Sequence, residues 1–268
     1  MSFDPRQMKR IERDGYNLIG ARYAAGAEAR TALTTALIAA AELQPGQHVL
    51  DLAAGPGLLA SAAREKVGAG GTAIATDIAE AQLACCPGLL RVATDGEFLP
   101  FAGNHFDRVL CGLGLMVFPD AARALAEARR VMAPGGRLVL SVWGTAEHAP
   151  LLSCALDCMK RLLPAPKVAR PSVFRFGTPE ALSTPLAEAG FGEIAIQTIM
   201  IDSHFTAAAS YWQAFLDLAG GAAGSLARLP ESMQQRLVSE VARELSGFAG
   251  EAGYAMRSAV LVATATKK

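Results

Sequence analysis

The sequence predicts a doubly wound α/β fold, a mostly parallel sheet with helices on both faces. Three observations carry that reading. The stretch Val49-Leu50-Asp51-Leu52-Ala53-Ala54-Gly55-Pro56-Gly57-Leu58-Leu59-Ala60 passes from apolar residues through an acid and a glycine-bracketed turn into the alanine-rich start of a helix. This is the strand, loop and helix with which such sheets begin, and their ligands sit where strand ends meet that loop. Short apolar runs then alternate with helical stretches as far as Trp143, the order that yields parallel strands joined by crossover helices. Gly-Gly pairs at Gly70-Gly71 and Gly135-Gly136 punctuate the units. A chain of 268 residues suits one generous domain or a core with an inserted cap.

Taken in order, residues 1–26 space Arg10, Arg13, Tyr16, Arg22 and Tyr23 along a helix or hinge, and residues 27–43 carry the stripe Leu33, Leu37, Ile38 and Ala41 of an amphipathic helix. Pro45-Gly46 stops it. After the organising loop, Leu58 to Val67 is a helix ended by glycines, Thr72 to Thr76 a buried strand with Asp77 at its end, and Ile78 to Ala84 a helix. Leu89 to Ala93 makes a third strand, and Phe106 to Met116 a fourth that runs into a pocket wall. Pro119-Asp120 caps a helix through Met132, Pro134-Gly135-Gly136 ends it, and Arg137 to Trp143 is strand five. Beyond Gly144 the pattern changes. His148-Ala149-Pro150 leads into a helix to Leu163, and Pro164, Pro166 and Pro171 mark a loop over the pocket mouth. Thr178-Pro179-Glu180 starts a helix ending at Gly190, and Pro185 inside it predicts a kink or a late start. Ile194 to Ile201 and Tyr254 to Thr264 read as strands, with helices at Ala207 to Leu218 and Pro230 to Leu245 between them.

The spacing Gly55-x-Gly57-x-x-Ala60, with Asp77 downstream, permits a dinucleotide such as NAD. Two residues argue against it. Asp51 places a carboxylate beside the loop, where a pyrophosphate is repelled and a cation welcomed, and Pro56 removes a backbone donor that phosphate would use. The ligand these residues suit is nucleoside-like with a positive charge at its other end.

Val49-Leu50-Asp51-Leu52-Ala53-Ala54-Gly55-Pro56-Gly57 resembles motif I of the class I S-adenosylmethionine (SAM)-dependent methyltransferases, in the ubiquinone/menaquinone-biosynthesis variant, with Ala53 in place of the first glycine. The resemblance implies a Rossmann-like sheet closed by an antiparallel final strand, plus a helical cap. It implies SAM as cofactor and S-adenosylhomocysteine as product. Asp51, Ala53, Gly55 and Gly57 are then cofactor-binding, Asp77 holds the ribose hydroxyls and Ile78 packs on adenine. Asp95-Gly96 supplies the adenine edge, where Gly96 departs from the usual side chain and loosens the turn, and Cys111 at the end of strand four joins the set. Asp77 also reads as a simple cap of the helix after it. The implied organisation is residues 1–43 closing over the cofactor, 44–145 as the SAM-binding core, and 146–268 completing the sheet with a helical substrate-cap insert at about 206–250. The leading segment reads equally as a packing helix.

Methyl transfer from a sulfonium is an in-line displacement that chiefly needs alignment and exclusion of water. A base is required only where the acceptor keeps its proton, and His148, after strand five, is the named catalytic residue, although it reads also as a solvated or capping side chain. His105 lies at the wrong end of its strand. Tyr16, Leu115, Met116 and Tyr211 are the substrate-binding residues, facing a small hydrophobic or aromatic acceptor methylated at O, N or C. No Asn/Asp-Pro-Pro-Tyr sequence follows strand four, which disfavours nucleic-acid bases. With 25 basic and 25 acidic residues the chain has no net field to steer nucleic acid or anionic membrane. The start Met1-Ser2-Phe3-Asp4-Pro5-Arg6 lacks the apolar core of a secretory signal, and no run is long enough to span a membrane. Five cysteines in mostly apolar surroundings fit reduced thiols in the cytoplasm. Four histidines without paired ligand spacing give no metal site. A SAM-binding sensor or scaffold without transfer activity, an NAD-dependent oxidoreductase, and a homodimer are left open.

Overall fold

The computed structural model describes residues 3–268, so Met1 and Ser2 of the leader reading lie outside the described residues. Helix α1 (Pro5–Ala25) starts under an Asp4 cap and ends at Gly26. α2 (Thr31–Ala41) follows a single 3-10 turn, and its buried Leu33, Leu37 and Ala41 are the predicted stripe. Then come β1 (His48–Leu52), α3 (Leu58–Val67), β2 (Thr72–Asp77), α4 (Glu80–Ala84), β3 (Leu90–Ala93) and β4 (Phe106–Gly112). α5 (Ala121–Val131), β5 (Met132–Trp143), α6 (Pro150–Leu162) and α7 (Pro179–Glu188) complete the alternating part. The chain ends with β6 (Phe191–Phe205), α8 (Ala208–Leu218), α9 (Gly220–Leu226), α10 (Glu231–Glu244), β7 (Ala249–Gly250) and β8 (Gly253–Lys267).

One sheet is formed, in the order β3-β2-β1-β4-β5-β8-β6, with β7 pairing β8 off that path. β1 pairs parallel with β2 and β4, and β4 with β5, while β8 runs antiparallel to both β5 and β6. The doubly wound, mostly parallel sheet with an antiparallel final strand is therefore present. The order in which strands are added reverses between β1 and β4, so the connections after them diverge to opposite faces and open a crevice above Leu52 and Gly112. β1 and β4 are buried on both sides by Val49, Leu50, Val109 and Leu110, which is why they read as apolar runs rather than alternations.

Four expectations need correction. The helix predicted from Ile78 begins at Glu80, because Ala79 is extended. Strand five begins at Met132 instead of Arg137. Met132 pairs with Phe106 and Arg137 with Arg108 across a register shift, a bulge turned at Gly135 with φ +72°. α7 does not start late: Thr178 Oγ1 accepts from the Ala181 N–H, and the helix continues through Pro185. The last hairpin is much longer than predicted, pairing unbroken from Ala195 with Thr264 to Phe205 with Tyr254.

α9 was hidden in a glycine-rich stretch. Gly15 of α1 and Gly220 meet backbone to backbone: a Cβ on Gly15 would stand 1.9 Å from the Gly220 oxygen, and one on Gly220 2.5 Å from the Tyr16 ring. Only glycine permits this approach. Among the described residues, no helix is long and apolar enough to cross a membrane.

Candidate functional site

The crevice above β1 and β4 opens into a concave cavity lined mostly by apolar and a few polar residues, the form that small-molecule sites take. Its floor is built from strand ends. β1 and its loop give Leu52, Ala53 and Gly55, β2 gives Thr76 and Asp77, and Ile78 follows. Thr94, Asp95 and Gly96 come from the loop after β3, and Gly112, Leu113 and Gly114 from the end of β4. Its roof is α1, which contributes Lys9, Glu12, Tyr16 and Tyr23.

Asp77 ties the floor together. Its Oδ2 accepts from the Gly55 N–H at 2.9 Å and its Oδ1 from the Ala79 N–H at 2.8 Å. Burial raises its pKa, and those N–H bonds oppose the rise. Asp77 shapes the turn before α4 while lining the cavity, and it does not cap the helix, whose N-cap Ala79 takes no side-chain bond. Gln82 beside it has a buried Oε1 without a partner.

Asp51 lies behind the loop rather than on the cavity wall. Its Oδ2 accepts from the Ala60 N–H at 2.9 Å inside the first turn of α3, and its Oδ1 is buried without a partner. Burial pushes its pKa up to about 8, helped by Asp77 and opposed by the Ala60 bond. The carboxyl is thus a buried group that a neighbouring cation would ionise, not an exposed charge. Gly57 also stands back from the cavity. It has φ +74° at the start of α3, and a Cβ there would meet Cys86 Sγ at 2.6 Å.

Ala53 sits at φ +55° and Leu113 at φ +54°, two side-chain-bearing residues in the left-handed region that both line the cavity. Such strain collects at binding sites. The Leu113 N–H donates to Ser141 O and Oγ, which holds its turn. Gly96 corrects the loose-turn reading. A Cβ there would come 2.7 Å from the Phe118 ring and 2.8 Å from Leu52, so the glycine admits close packing under the cavity.

Lys9 spans from α1 to the loop after β3. Its Nζ donates to Asp95 Oδ2 at 2.6 Å and also to Glu97 Oε2. Burial opposes the lysine charge, but the bonds to Asp95 and Glu97 outweigh it and raise its pKa. Asp95 Oδ1 accepts from the Glu97 N–H, so a ligand amine reaching Asp95 shares it with Lys9. Beyond α1, the guanidinium of Arg30 in the 3-10 turn lies 4.0 Å from the ring centroid of Tyr23, and Tyr23 meets Tyr16 edge-on at 5.8 Å.

Of the predicted site residues, Tyr16, Ala53, Gly55, Asp77, Ile78, Asp95 and Gly96 are brought together around the cavity. Asp51, Gly57 and Cys111 support it from behind. Cys111 is buried, its thiol is pushed up to about 12 chiefly by burial, and it fills the space beneath Gly114. Four residues are elsewhere. His148 is exposed, with Nδ1 2.8 Å from Thr145 Oγ1, closing a single turn away from the cavity. Leu115 and Met116 point into the core. Tyr211 is wholly buried: its hydroxyl accepts from the Ala155 N–H and donates to Leu151 O, each at 3.0 Å. It bridges the i, i+4 pair of α6. His105 stacks on His48 at 5.4 Å, away from the cavity.

Sequence reasoning missed Lys9, Glu12 and Gln82. Lys9, Glu12, Tyr16 and Tyr23 lie three, four and seven residues apart, a helical spacing legible in the sequence that marks one face. Among the described residues, no group of three or more ligating side chains is placed to hold a metal ion.

Residues 50–140 match the family described as "Methyltransferase domain". The chain is 39% identical over 111 residues to the ubiquinone/menaquinone biosynthesis C-methyltransferase UbiE of Bordetella avium, covering 38% of this chain and 43% of that protein. It is 35% identical over 125 residues to the demethylmenaquinone methyltransferase of Renibacterium salmoninarum, covering 45% and 52%. The chain thus spans about half the length of the curated relatives it matches. In fold it is similar to a putative methyltransferase from Bacillus halodurans, with TM-score 0.60, 20% identity, and coverage of 87% of this chain and 98% of that one.

Proposed function

We propose, for a chain whose residues 50–140 form a methyltransferase domain of the UbiE-like class I type, that it moves a methyl group from SAM to a small-molecule acceptor. The observation that carries this reading is the row of acceptor groups along the cavity floor, with Asp77 at the end of β2 and Asp95 after β3, and Ile78 between them in the chain. The residues fit the cofactor. Two carboxylates and the orphaned Gln82 Oε1 suit hydroxyl and amine donors. The orphaned Asp51 Oδ1, buried behind Ala53, suits a nearby positive charge and not a pyrophosphate.

When bound, SAM supplies an already activated methyl group. The chain's own work is then alignment and dehydration. Asp77 and Asp95 would hold the nucleoside against the sheet edge, Ala53 and Gly55 would give the remainder close backbone contact, and Tyr16 and Tyr23 of α1 would exclude water from above. α1 would then be the closing segment within residues 1–43, and the loop between α6 and α7 packs beside the cavity wall, where Arg175 Nη2 donates to Leu115 O and Phe118 O. The exposed, self-bonded His148 does not support a base role.

Calorimetric titration with S-adenosylhomocysteine, with NAD as control and Asp77→Ala as variant, tests the cofactor. Micromolar binding, about 8 kcal/mol, that the variant loses supports the reading, and binding of NAD instead overturns it. Methyl release to small acceptors then separates a transferase from a SAM-binding scaffold.

A further inference from the structure

Three segments outside residues 50–140 converge on one carboxyl group. Glu12 of α1 lines the cavity roof, and its Oε1 accepts from Arg170 Nη1 at 3.0 Å. Arg170 belongs to the proline-marked connection between α6 and α7. From α9, Gly221 lies over the pair. A Cβ on it would stand 2.3 Å from Glu12 Oε1 and 2.5 Å from Arg170 Nη1. The Glu12 side chain is only 12% exposed, and its Oε2 has no hydrogen-bond partner among the described residues. One turn on, the Tyr16 hydroxyl is also without a partner among them, and Gly220 of the same α9 presses on its ring. Burial raises the Glu12 carboxyl above its ordinary range, with Arg170 opposing.

A carboxyl oxygen that lines a cavity and takes no donor from the protein is an open acceptor, and a ligand that brings a donor replaces the water there. The donors of the nucleoside are assigned in the proposed reading to Asp77 and Asp95 on the cavity floor. Glu12 and Tyr16 therefore face a different molecule, and the insert and the connection that hold them lie outside the matched domain, where acceptor selectivity is free to differ.

Resting on the methyltransferase reading, we infer that Glu12, with Tyr16 beside it, binds the methyl acceptor, and that this acceptor presents an O–H or N–H donor, a hydroxyl or an amine, and not a carboxylate. Arg170 pairs with one oxygen of Glu12, where it competes with any cation a ligand brings, and leaves the other oxygen free.

Saturation-transfer NMR on the S-adenosylhomocysteine-loaded protein tests this with four probes: phenol, benzylamine, benzoate and toluene. Phenol or benzylamine is expected to bind in preference to benzoate and toluene. Glu12→Gln should weaken that binding about tenfold while S-adenosylhomocysteine affinity stays within twofold, which also shows that the variant folds. Arg170→Gln removes the cation competing for Glu12 and should tighten benzylamine several-fold, a gain that a purely structural ion pair would not give. Benzoate or toluene binding as well as phenol, no binding by any probe, or probe affinities unmoved by both substitutions overturns the inference. Failure of the wild type to bind S-adenosylhomocysteine is a separate result, and it removes the cofactor reading beneath.

Discussion

Tyr211→Phe separates a core role from a substrate-binding role at one position. The hydroxyl makes two buried hydrogen bonds of 3.0 Å to the backbone of α6, and the ring meets Phe205 edge-on at 5.4 Å. Phenylalanine keeps the ring contact and loses only the hydroxyl. Each buried bond contributes about 1 kcal/mol net, and the freed Ala155 N–H can turn back to the Leu151 carbonyl four residues earlier, so the loss is about 1–2 kcal/mol. For a domain of this size that corresponds to roughly 3–6 °C in midpoint temperature. Urea and thermal unfolding measure it, alongside titration with S-adenosylhomocysteine. The expected result is reduced stability with unchanged affinity for ligand and acceptor. Unchanged stability with a tenfold loss of acceptor binding would refute the core assignment and return Tyr211 to the cavity wall.

Other outcomes follow from the same geometry. Asp51 has its pKa raised to about 8 by burial, against about 3.9 unfolded. Its contribution is full below the unfolded value and is lost as pH rises through the folded one, at about 1.4 kcal/mol per unit as an upper bound. Asp51→Asn should therefore melt progressively higher than the parent between pH 4 and about 8 in ligand-free protein, and parallel melting curves across that window would contradict it. Gly96→Ala drives a methyl into Phe118 and Leu52. It should cost about 1–3 kcal/mol and weaken ligand binding by calorimetry, because Phe118 has the cavity as its free side. His148→Ala should leave ligand affinity and turnover unchanged, with stability altered by no more than about 0.5 kcal/mol, and a loss of turnover would restore it as a base.

What could be read from the sequence divides by range of interaction. β1, α3 and β2 are set by local pattern, since apolar runs and glycine stops act over a few residues, and α3 falls at Leu58–Val67 as predicted. Asp77 was legible for the same reason, since strand ends in this topology face the crevice, while Asp95, two residues beyond β3, was reached only through the resemblance to the methyltransferase motifs. The shared face of Lys9 and Glu12 is legible from their spacing, but their roles were not, because these depend on partners 86 and 158 residues away. Tyr211 and His148 were misplaced by a common error. Each lies near the right edge of the sheet in the chain, but packing sends one hydroxyl into the α6 backbone and leaves the other ring in solvent. The polar ends of β6, with Asp202, Ser203 and His204, concealed a strand that long-range pairing extends to Phe205.

The long β6–β8 hairpin fixes Phe205 opposite Tyr254, so everything between them leaves and re-enters the sheet at nearly the same point. Changing the length of a segment held that way alters closure entropy only slowly, by about 0.6 kcal/mol per doubling. Helices α8 to α10 thus form an exchangeable cassette: a lineage could lengthen, shorten or replace them while every strand keeps its register. Since α9 is also what presses on Tyr16 and covers Glu12, such exchanges would reshape the roof of the cavity and leave Asp77 and Asp95 on its floor untouched.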